Sequence, residues 1–170
     1  QSVVPAEAVP SWKADALKAQ AVAARTYAMY HKNGYRSSGY DVTDDTRSQV
    51  YSGISSETEA TSRAVRETAG EIVTYGGKPI DALFHSSGGG YTENSENVWG
   101  SVIPYLRGVK ESYVGNPWTK TIPLSSFVRT MSNYGYGVGS LKGFKLTRLR
   151  IGEAHRTSDR GISGRVKTFT

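Results

Sequence analysis

With 170 residues, of which 37% are hydrophobic and 11% aromatic, the chain is long enough to bury a core and reads as one domain, 1–170, with no linker or internal repeat. The absence of cysteine excludes disulfides and thiolate chemistry. A net charge of +6 suits an anionic polymer such as cell wall or nucleic acid, but there is no Lys/Arg run or nucleic-acid motif, so nucleic acid is not expected as a partner; no apolar run reaches the length of a membrane span.

The chain opens on Val3-Val4-Pro5-Ala6-Glu7-Ala8-Val9, a lone carboxylate among apolar residues. Most single glutamates are surface residues, but apolar surroundings disfavour an ionised carboxyl and suit one that holds and donates a proton. Ala14 to Tyr30 contains neither Gly nor Pro and is rich in strong helix formers, which predicts a helix with Ser11 as N-cap and Asp15 in its first turn. Leu17, Ala21, Ala24 and Ala28 form one stripe of mostly small side chains, so a neighbour is expected to pack closely against it. Lys18 and Arg25 share an azimuth about 10 Å apart along the axis. By position alone, two such cations describe a solvated face.

Gly34 is expected as a left-handed cap after Asn33, followed by a loop to Gly53. Ser56-Glu57-Thr58-Glu59 reads as a capping box opening a helix that runs to about Thr68. Glu71 to Tyr75 and Lys78 to Phe84 read as a hairpin turning on Gly76-Gly77. The second strand runs into His85-Ser86-Ser87-Gly88-Gly89-Gly90-Tyr91, where glycines let backbone approach a ligand. Trp99 offers a face for a sugar ring, although most tryptophans simply pack. A short extended segment is expected over Pro104 to Val109, a turn at Asn116-Pro117-Trp118, and a helix from Leu124 to Met131 capped near Ser125 or Ser126. Phe144 to Ile151 and Arg165 to Thr170 read as paired strands. Few helices separated by hairpins make the class α+β: a central Ala-rich helix with β-hairpins and a few short helices.

The run VVPAEAVPSWKADALKAQAVAARTYAMY resembles the signature of the SpoIID/LytB family, named for the stage II sporulation protein D and the amidase enhancer. The resemblance continues through YDVTDDTRSQVYSG, ETAGEIVTYGGKPIDALFHSSGGGYTE, NVWG, PYLRGV and SGRVKTFT. It implies a lytic transglycosylase acting on peptidoglycan glycan strands stripped of stem peptides, with Glu7 as the catalytic acid. It also implies functional roles for Lys18 and Arg25. Thr43 and Ser48 stand where relatives often carry a metal-holding cysteine pair; hydroxyls replace thiolates poorly, so no zinc and no cofactor are expected. The chain starts within the family motif and is expected to be a piece of a longer, envelope-located protein, truncated at both ends.

Transglycosylation needs one carboxyl: the muramyl C6 hydroxyl attacks its own C1, so no second acid must activate water. A two-carboxylate glycosidase using Glu7 and Glu93 stays open at this level. The expected substrate-binding residues are Lys18, Gln20, Arg25, His85, Ser86, Ser87, Gly88, Gly89 and Tyr91, the loop amides serving sugar hydroxyls or N-acetyl groups. The rival function is a peptidoglycan-binding module that stimulates a cell-wall amidase. A Ser-His hydrolase lacks the G-x-S-x-G elbow, and a metal-dependent amidase lacks any H-E-x-x-H among three histidines.

Overall fold

Helix α2, Ala14–Tyr30, organises the first of two units into which the chain divides, Gln1–Phe84 and His85–Thr170. The computed structural model describes residues 1–112, 115, 118–137 and 139–168. The α2 boundaries are those expected from the Gly- and Pro-free run. Its N-cap position is Lys13, without a side-chain cap, so Ser11 does not play that part. At the other end the left-handed residue is Asn33, with φ 70°, rather than Gly34. Gly34 is needed for a different reason: a Cβ there would stand 3.0 Å from the His31 carbonyl oxygen and 3.2 Å from that of Asp41.

Helix α1 is a single turn, Val4–Glu7, with Pro5 in the position where a missing N–H costs nothing. Val4 and Ala8 pack with Leu17 and Ala21 of α2 and with Ala64 of helix α3, Glu59–Glu67. Five of the seven fully buried apolar side chains among the described residues are alanines. Such a core lets helices approach closely but buries little area per residue, so buried polar ties matter more than usual. Glu57 illustrates this: its carboxylate accepts from Ser2 Oγ at 2.6 Å. The capping box of α3 lies two residues later than expected, with Thr58 Oγ1 accepting from Thr61 N and Thr61 Oγ1 accepting from Thr58 N.

The hairpin is present but short. Strands β1, Thr74–Tyr75, and β2, Lys78–Pro79, pair antiparallel, with Thr74 opposite Pro79 and Tyr75 opposite Lys78. Gly76 and Gly77 have φ of 57° and 77°, the paired positive values of the tight hairpin turn. One more bond crosses, from Ile80 N to the Val73 carbonyl at 3.2 Å, and there the ladder stops. Val73 N donates to Thr26 Oγ1 at 2.9 Å, and Leu83 N curls back to the Asp81 carbonyl at 2.9 Å.

The second unit contains helices α4, Glu96–Trp99, and α5, Leu124–Asn133. Pro123, not Ser125 or Ser126, occupies the N-cap position of α5. Thr92 N donates to the Val109 carbonyl at 2.9 Å, and Tyr91 bridges Lys110. Pro104 and Tyr105 form a turn, so only the later part of the extended segment expected over Pro104 to Val109 pairs with a neighbour. The strands expected over Phe144 to Ile151 and Arg165 to Thr170 do not form among the described residues, where Arg160 and Val166 make only an isolated bridge. Side chains take the ladder positions instead. The Asp159 carboxylate accepts from Thr147 N at 2.5 Å, Arg160 Nε donates to the Thr147 carbonyl at 2.6 Å, and Arg150 N donates to His155 Nε2 at 3.2 Å. The turn expected at Asn116-Pro117 lies outside the described residues. Among the described residues, helices with one two-stranded sheet make the fold α+β.

Candidate active site

Glu7 ends α1 half-buried, and its Oε1 accepts a hydrogen bond from the backbone N–H of Val50 at 3.0 Å. That contact anchors the carboxylate through one oxygen. Glu7 lines a cleft of about 310 Å³ within the first unit. This is the lower end of the volume range of small-ligand sites, about 300–1,000 Å³. Tyr27, Thr46, Arg47 and Ser48 supply its polar groups; Val50, Leu83 and Phe84 supply its apolar wall. Glu7 is the one acid in that lining.

Tyr27 comes from α2, and Ser48 and Arg47 from the loop that crosses it. Burial raises the Tyr27 phenol above its ordinary value, the charges of Asp81 and Tyr35 add to this, and a hydrogen bond with Ser48 opposes it. Tyr27 is therefore a neutral hydroxyl donor at physiological pH. Its ring rests 4.2 Å, centroid to centroid, from that of His31, whose Nε2 meets Asp81 Oδ1 at 3.0 Å.

The loop is closed by the hydroxyls of Thr43 and Ser48. Thr43 N donates to Ser48 Oγ at 3.1 Å, and Thr43 Oγ1 donates to Asp45 Oδ1 at 3.0 Å. The buried Gln49 side chain donates to the Ala24 carbonyl at 3.1 Å, pinning the loop to α2. Among the described residues no three His, Asp or Glu side chains cluster as a metal site.

Lys18 and Arg25 do share a face of α2, but that face is turned to α3. Lys18 Nζ lies 2.7 Å from Glu67 Oε2. Arg25 Nη1 donates to the carbonyls of Thr68 at 2.7 Å and Glu71 at 2.8 Å, and Nη2 to that of Val65 at 3.3 Å. A guanidinium at the carbonyl end of a helix satisfies orphan acceptors and the helix dipole together. In this structure both cations brace α2 against α3. Gln20 lies seven residues before Tyr27, nearly on its azimuth, and its Nε2 is buried with no hydrogen-bond partner among the described residues.

The remaining expected residues belong to the second unit. His85, Ser86 and Ser87 are exposed. The loop amides are engaged: Gly88 N donates to both oxygens of Glu111 at 3.0 Å and Gly90 N to Oε2 at 3.3 Å, while Gly89 N donates to Ser87 Oγ at 3.3 Å. A Cβ at Gly88 would lie 2.5 Å from Glu111 Oε1, so the carboxylate sits where it does against a glycine. The loop holds a carboxylate of its own chain, where sugar hydroxyls were expected. Tyr91 is half-buried in the bridge to Lys110.

Glu93 is a structural acid. Its two oxygens accept from Asn94 N, Asn97 Nδ2, Ile162 N, Ser163 N and Ser163 Oγ at 2.6–3.3 Å. Burial alone would raise its carboxyl, but the hydrogen bonds from Ser163, Asn97 and Asn94 together outweigh it and hold the group below its ordinary value. A carboxylate this fully accepted has no lone pair free for water, so the two-acid glycosidase loses its second member. Glu96 is likewise ion-paired with Arg107.

Sequence reasoning missed Tyr27, Arg47 and Ser48. Tyr27 was legible in principle as the polar residue continuing the Gln20 row of α2; the loop partners carried no periodic signal.

The first unit is thus an α+β body presenting one anchored carboxylate in a small cleft. Residues 1–75 match the family described as Stage II sporulation protein, SpoIID. The chain is 42% identical over 139 residues to an uncharacterised protein of Brachyspira hyodysenteriae, covering 79% of this chain and 38% of that protein. It is 42% identical over 125 residues to the amidase enhancer of Bacillus subtilis, covering 72% of this chain and 16% of the relative. It is 39% identical over 145 residues to the stage II sporulation protein D of the same organism, covering 76% and 41%. The chain belongs to the SpoIID/LytB family, and the matched region makes up less than half of each of these relatives.

Proposed function

We propose that the protein acts on the bacterial cell wall as a lytic transglycosylase, cleaving the β-1,4 bond between N-acetylmuramic acid and N-acetylglucosamine in glycan strands. The observation that carries this reading is the solitary, one-point-anchored Glu7 in its cleft. The carboxyl protonates the leaving glycosidic oxygen from Oε2 as the anomeric carbon gains oxocarbenium character. The same oxygen then accepts the proton of the muramyl C6 hydroxyl as that hydroxyl closes on C1, forming a 1,6-anhydro ring. Atoms and protons balance with no water and no second acid, which matches a lining that contains one carboxylate. Tyr27 and Ser48 supply neutral hydroxyl donors for sugar oxygens, and Leu83 and Phe84 an apolar wall for a sugar face. Lys18 and Arg25 contribute indirectly, by locking α2, the element that carries Tyr27, against α3.

Gln20 is proposed to turn its unpartnered amide to an N-acetyl carbonyl, and the loop from His85 to Tyr91 to contact the strand through its exposed side chains. The proposed setting is the cell envelope. The name of the amidase enhancer favours a second reading, in which the chain binds peptidoglycan and stimulates an amidase. Digestion of purified stripped strands with mass analysis of the ends separates the two. Anhydro-muramyl ends that disappear in Glu7→Gln support the enzyme; equal binding by both proteins without product supports the module.

A further inference from the structure

Of the cations in the first unit that the sequence singles out, Lys18 and Arg25 are committed to α3. One guanidinium, that of Arg47, lines the Glu7 cleft. It is exposed, yet it is not a loose surface side chain. Asp45 grips it from one side: Nε donates to Oδ1 at 3.1 Å and to Oδ2 at 2.9 Å, and Nη2 approaches Oδ2 at 2.8 Å. The Arg47 backbone N–H donates to the same carboxylate at 2.9 Å, and Thr43 Oγ1 donates to it as well. Thr43 is in turn bonded to Ser48, another cleft residue. The net fixes the direction of the guanidinium in advance, which lowers the entropy lost when a ligand docks.

A guanidinium has two edges that each present a pair of parallel N–H groups. Asp45 occupies the Nε/Nη2 edge. The Nη1/Nη2 edge has no partner among the described residues. That edge matches a second carboxylate in bidentate fashion, and Arg47 lines the cavity that holds Glu7. We infer that Arg47 is the specificity-determining residue of the site, binding the free lactyl carboxylate of a muramyl residue through its open edge. The inference rests on the glycan reading above and deepens it. In a stripped strand each muramyl residue ends its lactyl ether in a carboxylate. In a strand that carries stem peptides the same carbon is an amide, which has no charge and accepts at a single oxygen. Arg47 thereby gives a physical reason for a preference for stripped strands, one that depends on this chain's own loop.

The test uses binding to the Glu7→Gln protein, which separates recognition from turnover. Stripped glycan strands are compared, by calorimetry at low and moderate salt, with the same strands whose lactyl carboxyls have been converted to methylamides. The Glu7→Gln protein is expected to bind the free acid about tenfold more tightly, and the preference to shrink as salt rises. Glu7→Gln with Arg47→Gln is expected to bind both strands equally, at the level of the methylamide. Arg47→Lys, which keeps the charge without the fork, is expected to fall between. Thermal midpoints of the variants confirm that the loop is intact. The inference is overturned if the preference survives in Arg47→Gln, or if the Glu7→Gln protein binds acid and amide alike. Binding of neither strand overturns the glycan reading itself. Anhydro products from the wild type alongside indifferent binding overturn only the role of Arg47.

Discussion

Replacing Arg25 by Met keeps the aliphatic stem of the side chain and removes its guanidinium. The structure assigns that group two short bonds to backbone carbonyls, Thr68 at 2.7 Å and Glu71 at 2.8 Å, and a longer one to Val65. Hydrogen bonds to a charged donor contribute about 1.5–3 kcal/mol each where they are shielded. The Glu71 bond is exposed and counts for less, while the favourable placement at the end of α3 adds a few tenths. The loss is therefore about 3 kcal/mol. For a chain of this length each kcal/mol corresponds to about 2–4 °C, so the thermal midpoint should fall by about 6–12 °C. Arg25→Lys, with charge but no fork, should lose about half as much. The assay is circular dichroism melting of the three proteins, with glycan-strand cleavage measured well below the lowest midpoint. The reasoning is refuted if Arg25→Met melts like the wild type but has lost activity, because the guanidinium would then be acting at the substrate rather than on α3.

Gly161→Ala should destabilise the second unit, since the new Cβ collides with the Glu93 carboxylate, which five hydrogen bonds prevent from moving aside. A loss of about 2 kcal/mol or more in urea titration is expected, and an unchanged midpoint would contradict the assigned role of Glu93. Acid should loosen both units. The Arg47 side-chain bonds hold the Asp45 carboxyl down to about 2, and the Thr147 backbone bond does the same for Asp159. A depressed carboxylate stabilises the fold fully above its unfolded value, near 4, and loses that contribution as pH falls through the folded value near 2. The thermal midpoint should be level above about pH 5 and drop between about pH 4 and 2, with a shallower drop in Asp159→Asn. A slope unaffected by that substitution would count against the ties between Asp159 and Thr147.

The parts of the molecule legible in the sequence are those that local pattern determines. α2 runs over the expected residues because seventeen consecutive positions favour a helix and no breaker intervenes. The hairpin turns where two glycines permit two positive φ values. Alternation over Phe144 to Ile151 misled because period-two spacing says nothing about whether a partner strand is free; here Asp159, Arg160 and His155 satisfy the backbone first. The same limit applies to the site. Glu7 stood out by its apolar neighbours, but the engagement of Arg25 by α3, of Glu93 by Ser163 and of the Gly88 amide by Glu111 joins residues 23 to 70 positions apart, and no periodicity encodes such pairs. Arg47 carried no signal in the sequence; its place at the cleft follows from its contacts with Asp45, which Thr43 also holds.

The most direct measurement is the mass of the new ends produced when purified glycan strands are incubated with the wild-type protein and with Glu7→Gln. The account predicts ends lighter by one water than a hydrolysed strand, from the wild type alone, with both proteins melting alike. Hydrolysed ends carrying the full water, or the same product from Glu7→Gln, would contradict it.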